Sequence, residues 1–166
     1  MSLEDYQRKL AYILYPDVFE ENKILKSKLD NGKDSLPKPD TIATINSKEL
    51  REMLNTSVDK VHILDRNFVI PSTESWDAFL EANGVDKKIY LPDTYDCDNY
   101  GVELAVAAKN WLPGCACGLI MDYSHAWFFI ILQKDGELYI DHVEPQTDGD
   151  VNKKHLDGDL YMAWAW

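Results

Sequence analysis

The sequence predicts an α+β domain in which a helical N-terminal half precedes a cysteine-bearing helix packed on an antiparallel sheet. Three observations predict it. Residues 96 to 111 place Cys97, Gly101, Leu104, Ala108 and Trp111 at helical spacing, so Cys97 opens the inward-facing stripe of a helix. Two apolar runs, 125 to 133 and 137 to 144, flank Asp135-Gly136, and Asp-Gly between such runs is a strong hairpin signal. Upstream of residue 90 the segments read mostly as helices. The 166 residues suffice for one domain with a real core. That domain is expected to span 1–166, with a mainly helical part over 1–90 and the core over 91–166.

Taken in order, residues 2 to 15 read as a helix with Ser2 as N-cap. Residues 17 to 29 read as a second, charged helix ending at Asn31-Gly32. Two prolines make 33 to 41 a loop. A short helix is expected at 47 to 55 and an alternating strand at 60 to 64. Pro71-Ser72-Thr73 introduces a helix with Trp76, Phe79 and Leu80 on one side, stopped by Asn83-Gly84. After the Cys97 helix, Pro113-Gly114 breaks the chain and 115 to 121 form an apolar strand. Cys115 and Cys117 belong to that strand and are expected to pack it against a helix. Residues 159 to 166, with Tyr161, Trp164 and Trp166, form a last strand of the sheet.

Composition narrows the function. A hydrophobic fraction of 45% with five Trp is that of a globular chain. The net charge of −12 opposes binding to a phosphate backbone, so no nucleic-acid partner is expected. No apolar run approaches the roughly 20 residues that span a bilayer, so no membrane partner is expected either. The N-terminus lacks the basic region and apolar stretch of a secretory signal. Three cysteines, two of them at Cys115-x-Cys117, do not form a disulfide framework, and a reducing, cytoplasmic setting follows.

The chemistry concentrates on three residues. Cys97 lies in the first turn of its helix, where unpaired N–H groups and the helix dipole favour an anion such as a thiolate. With Asp135-Gly136 as a two-residue loop, Ile131 faces Ile140, Phe129 faces His142, Trp127 faces Glu144 and His125 faces Gln146. His125 and Glu144 then share one sheet face as diagonal neighbours, about 7–8 Å apart at the backbone. A carboxylate that orients an imidazole beside a thiol completes a triad: Cys97 as nucleophile, His125 as base, Glu144 as orienter.

The strings Tyr95-Asp96-Cys97-Asp98-Asn99-Tyr100, Ser124-His125-Ala126-Trp127 and Val143-Glu144-Pro145-Gln146-Thr147 together resemble the core of the papain-like and transglutaminase-like cysteine peptidase superfamily. The resemblance covers residues 93–149, about a third of the chain. The Asp-Cys start also resembles NlpC-type cell-wall peptidases, and Glu as third member resembles the papain-like C-terminal domain of a fungal agglutinin. The resemblance implies a papain/transglutaminase-like core and thiol-dependent hydrolysis or acyl transfer at an amide bond. It implies a peptide or small amide substrate and no cofactor or metal. It further implies an oxyanion donor near the cysteine, for which Tyr95 and Gln146 are the candidates, with Trp127 in support.

Two other readings accompany it. A non-catalytic binding or structural domain would keep the same fold with the triad idle. A zinc site would draw on His125, His142 and Glu144, residue types that ligate zinc, although no paired-ligand spacing is present.

Overall fold

The computed structural model describes residues 36–55, 58–156 and 160–166. The expected helices over 2 to 15 and 17 to 29 lie outside them. Residues Pro37–Trp166 form a compact unit of their own. Within it the strands are β1 (Ala43–Asn46), β2 (Val58–Ile63), β3 (Asn67–Ile70), β4 (Cys117–Met121), β5 (Ala126–Lys134), β6 (Glu137–Glu144), β7 (Gly149–Asp150) and β8 (Leu160–Ala165). The helices are α1 (Ser47–Leu54), α2 (Thr73–Asn83), α3 (Cys97–Trp111) and the short α4 (Lys153–Leu156).

Local rules account for the helix ends. Asn46 caps α1 by accepting from the N–H groups of Lys48 and Glu49, while Glu49 reaches back to the Asn46 N–H at 3.1 Å, a capping box. Ser72 caps α2 through the Ser75 N–H, and Gly84 closes it in the left-handed conformation at φ 74. Asp96 is the extended N-cap of α3, and Asn99 returns its side-chain oxygen to the Asp96 N–H at 3.1 Å.

Six strands form one sheet in the order β2-β8-β4-β5-β6-β7, and β1 pairs with β3 in a small second sheet. The β5–β6 hairpin has the register expected from its two-residue loop, with Ile131 opposite Ile140 and Phe129 opposite His142. β2 and β8 are parallel, whereas the other pairs of the sheet are antiparallel.

The anticipated architecture is therefore corrected on two points. The sheet is mixed rather than antiparallel. The stretch between residues 37 and 90, expected as mainly helical, contributes three strands as well as two helices. The four-residue β1 and β3 are too short to show a period, and their pairing partners are distant in sequence.

β5 lies at the centre, and Ala126 to Leu132 are all buried. Such a strand reads as a continuous apolar run because both of its faces are covered. Trp127, Phe129 and Ile131 join a cluster with Leu50 and Leu54 of α1 and Phe68 and Ile70 of β3. Phe128 points the other way and stacks on Trp76 of α2 at 5.3 Å. Trp76, Phe79 and Trp111 then bind α2 to the C-terminal end of α3.

Two glycines permit close approach. A Cβ on Gly118 would lie 1.8 Å from the Trp164 carbonyl oxygen on β8, a backbone atom that cannot rotate away. A Cβ on Gly101 would lie 2.4 Å from Leu119 Cδ2, the end of a side chain that can. Gly118→Ala is expected to destabilise the fold by about 3 kcal/mol, at the upper end of overpacking costs. Gly101→Ala should cost less than half of that, since alanine's helix propensity offsets part of the strain. Urea unfolding of the two variants checks the ranking.

Candidate thiol–imidazole–carboxylate site

Three elements converge at one end of the sheet. The α3 cap places Cys97 in the first helical turn, half-buried and free of any disulfide. The β4–β5 turn delivers His125, and the end of β6 delivers Glu144. His125 Nε2 and Glu144 Oε2 are 2.6 Å apart, with the two side chains 14% and 19% exposed. Cys97 lies close enough to the His125 side chain to help raise its pKa. With Nε2 on Glu144, Nδ1 is the ring nitrogen not engaged by the carboxylate. The structure thus brings together the three residues singled out from spacing.

Interaction of the ring N–H groups with the Cys97 sulfur and the Glu144 carboxylate, together with their charges, raises His125 from 6.5 to about 9 against the opposing effect of burial. The imidazole is accordingly protonated at neutral pH. An imidazolium beside a cysteine sulfur favours the anionic nucleophile. Asp96 and Asp98 flank the sulfur with negative charge, and the proximity of Asp96, with burial, raises the pKa of Asp98.

A raised folded pKa has a defined linkage. The stabilisation from His125 is fully present below 6.5 and is lost as pH rises through about 9. The stability difference between wild type and His125→Ala should therefore be constant in mildly acidic buffer and shrink across that window. Urea unfolding at a series of pH values reads it directly.

The supporting candidates divide. Trp127 is buried and stacks beside His125 at 5.9 Å, and its Nε1 donates to His142 Nδ1 at 3.0 Å. Gln146 turns its backbone N–H toward Glu144 Oε1 at 3.5 Å, so it bears on the carboxylate. Tyr95 has both donors engaged elsewhere: its hydroxyl on Glu103 and its N–H on the Leu91 carbonyl at 2.8 Å. It has no donor to offer an oxyanion beside Cys97.

The zinc reading is corrected. His142 Nδ1 is occupied, accepting from Trp127 Nε1 at 3.0 Å. Among the described residues no group of His, Cys, Asp and Glu is arranged to hold a metal ion. Cys115 and Cys117 are buried in and beside β4, as expected of packing residues.

Spacing gave no sign of Asp122 and His155. Asp122 Oδ1 accepts from the N–H groups of Ser124 at 2.6 Å and His125 at 2.7 Å and from the Ser124 hydroxyl at 3.0 Å. Its Oδ2 lies 2.6 Å from His155 Nδ1. The His155 ring in turn lies 4.7 Å from that of His125. The Asp-x-Ser-His string is a recognisable side-chain-stabilised turn. His155 lies thirty-three residues from Asp122 and carries no local signal.

The fold is shared with known structures. One, described as a PSL1a–E64 complex, matches with a TM-score of 0.61 and 17% identity over 73% of this chain and 51% of its own. Another is the Polyporus squamosus lectin bound to the human-type influenza-binding epitope Neu5Aca2-6Galb1-4GlcNAc. It matches with a TM-score of 0.50 and 19% identity over 63% of this chain and 41% of its own. The chain thus spans about half the length of the first and less of the second. No protein-family model matches the sequence, and no curated protein matches it.

These likenesses overturn the family expectation. The fold is that of lectin structures and not a papain/transglutaminase-like peptidase core behind a helical half. The accompanying expectations of a cysteine peptidase or amidase, and of a peptide or small amide substrate, are corrected on the same ground. Three short strings over a third of the chain matched the order of a site, and the order of a site does not determine the fold around it. Among the described residues no helix is long and apolar enough to cross a membrane.

Proposed function

We propose that the chain is a ligand-binding module whose ligand is engaged by a nucleophilic thiol. Cys97 is the nucleophile, His125 holds the thiol proton and Glu144 orients His125. The observation that carries the reading is the position of His125, held by Glu144 at 2.6 Å and close enough to Cys97 for the sulfur to raise its pKa. A structural histidine needs one partner; a histidine between a thiol and a carboxylate is arranged for proton transfer. The ligand class is a molecule with an electrophilic carbon. The sulfur forms a bond to that carbon, the carbon's leaving group departs with its electron pair, and the thiol proton stays on His125. The net charge of −12 favours a neutral or cationic ligand.

Mass spectrometry after incubation with iodoacetamide, and separately with E64, the compound in the PSL1a complex, tests this. Adducts confined to Cys97, formed much faster than on a small-molecule thiol at the same pH, are the expected result. Labelling of Cys97 no faster than an ordinary thiol by either reagent would remove the basis for the reading.

A second reading, non-covalent glycan binding, is favoured by the description of the lectin neighbour and by the exposed rings of Tyr90 and Trp164. Aromatic faces of that kind stack on sugar rings. Titration calorimetry with Neu5Aca2-6Galb1-4GlcNAc and with its asialo form separates the two readings. Saturable heat with Cys97→Ala as strong as with wild type supports the glycan alone.

A further inference from the structure

We propose that Asp122 and His155 form a second carboxylate–imidazole pair that positions His125 for its work on Cys97. The inference rests on the thiol reading above.

The Asp122 carboxylate occupies the centre of the turn that carries His125. Its backbone N–H donates to the His125 carbonyl at 3.0 Å, and its Oδ1 accepts from the His125 N–H at 2.7 Å. The turn is thus closed on both sides of the histidine. Oδ2 is directed at His155, and both side chains of that pair are largely buried, 12% and 15% exposed. Hydrogen bonds to an ionised carboxylate are roughly twice as strong as neutral ones. Three donors on one oxygen and a ring nitrogen on the other therefore hold the turn more firmly than its length alone would.

His155 is brought there by α4, whose start is set by Asn152. The Asn152 side-chain oxygen accepts from the Lys154 N–H at 3.1 Å, and its carbonyl accepts from the His155 N–H at 2.9 Å. The His155 ring then lies against both His125, at 4.7 Å, and Trp127, at 6.1 Å. The three rings of His125, Trp127 and His155 therefore form one mutual cluster, with Glu144 on His125 Nε2 and Cys97 nearby. The titratable groups facing it are Cys97, Glu144 and His155, and Asp122 stands behind the last.

An ordinary turn would need only the Oδ1 bonds. The Oδ2 bond recruits a residue from a separate element. His155 thereby acts on His125 in two ways, through Asp122 and the turn backbone and through its ring against the imidazole.

The test combines two readouts on Asp122→Asn and His155→Phe. Asparagine keeps an oxygen for the turn N–H groups but loses the anionic partner of His155, and phenylalanine keeps a ring but loses the bond. Both changes spare the buried core. The first readout is the rate of Cys97 alkylation across pH. The second is the ring ¹⁵N chemical shift of His125 across the same range, recorded in wild type and in both variants. The expected result is at least a tenfold loss of the alkylation rate in each variant, with a displaced pH profile and a displaced His125 titration, while circular dichroism is unchanged. An unaltered His125 titration in both variants overturns the proposal, whatever the rates. Slow Cys97 labelling in the wild type together with a displaced His125 titration in the variants would instead strike the thiol reading and leave the positioning role standing.

Discussion

His125→Ala is expected to slow alkylation of Cys97 by about a hundredfold or more at neutral pH, the lower range for removal of a positioned acid–base group. Three features make the effect large. The imidazole lies beside the sulfur and is protonated at neutral pH, with a pKa raised to about 9. Its removal takes away the cation beside Cys97 and leaves the first turn of α3 as the remaining source of positive potential. It also leaves Glu144, 19% exposed, without its ring partner and with a negative charge close to the site. Cys115 and Cys117, both buried, serve as internal controls, since their labelling reports unfolding rather than reactivity. A rate within twofold of wild type, with those two cysteines still protected, would mean that His125 does not act on the thiol. Peptide-resolved mass spectrometry after a timed quench gives all three rates in one experiment.

Trp76→Ala is expected to destabilise the fold by about 3–5 kcal/mol, the range for removing a large buried aromatic ring. That is a large fraction of the roughly 5–15 kcal/mol available to a domain. Trp76 is fully buried and contacts three other rings: Phe79 at 5.1 Å, Phe128 at 5.3 Å and Trp111 at 6.3 Å. No single neighbour can collapse into the space it would leave, because Phe128 is tied to β5 and Trp111 donates its Nε1 to the Pro37 carbonyl at 2.6 Å. Trp76→Phe should cost much less. It keeps the stack and removes the indole N–H, which has no hydrogen-bond partner in the core. Urea midpoints at constant slope measure both. A loss below about 1 kcal/mol for the alanine variant would show that the aromatic cluster is not the clamp between α2, α3 and β5.

The two predictions bear on different ranges of interaction, and so did the reading of the sequence. What lay within a few residues was legible. The Cys97 helix, the α2 start at Ser72 and stop at Gly84, and the register across Asp135-Gly136 all follow from caps, turns and periodicity. That register alone placed His125 and Glu144 on one face, and the structure has them 2.6 Å apart.

What lay far apart was not legible. Nothing local tells β2 to run parallel to β8 across more than ninety residues, or β1 to pair with β3 rather than join the main sheet. Nothing local tells His155 to meet Asp122. The family expectation failed for the same reason. It rested on the neighbourhood of three residues, whereas a fold is defined by how the remaining elements pair.

The sequence by itself therefore determined the helix ends and the central hairpin, and through its register the shared face of His125 and Glu144, because local caps, turns and periodicity decide those. The tertiary structure alone decided the mixed sheet, the approach of Cys97 to His125, the clustering of His125 with Trp127 and His155, and the fold around them. Those depend on burying apolar surface from distant segments together, and burial is non-directional: it favours many pairings of the same residues until the whole chain is packed.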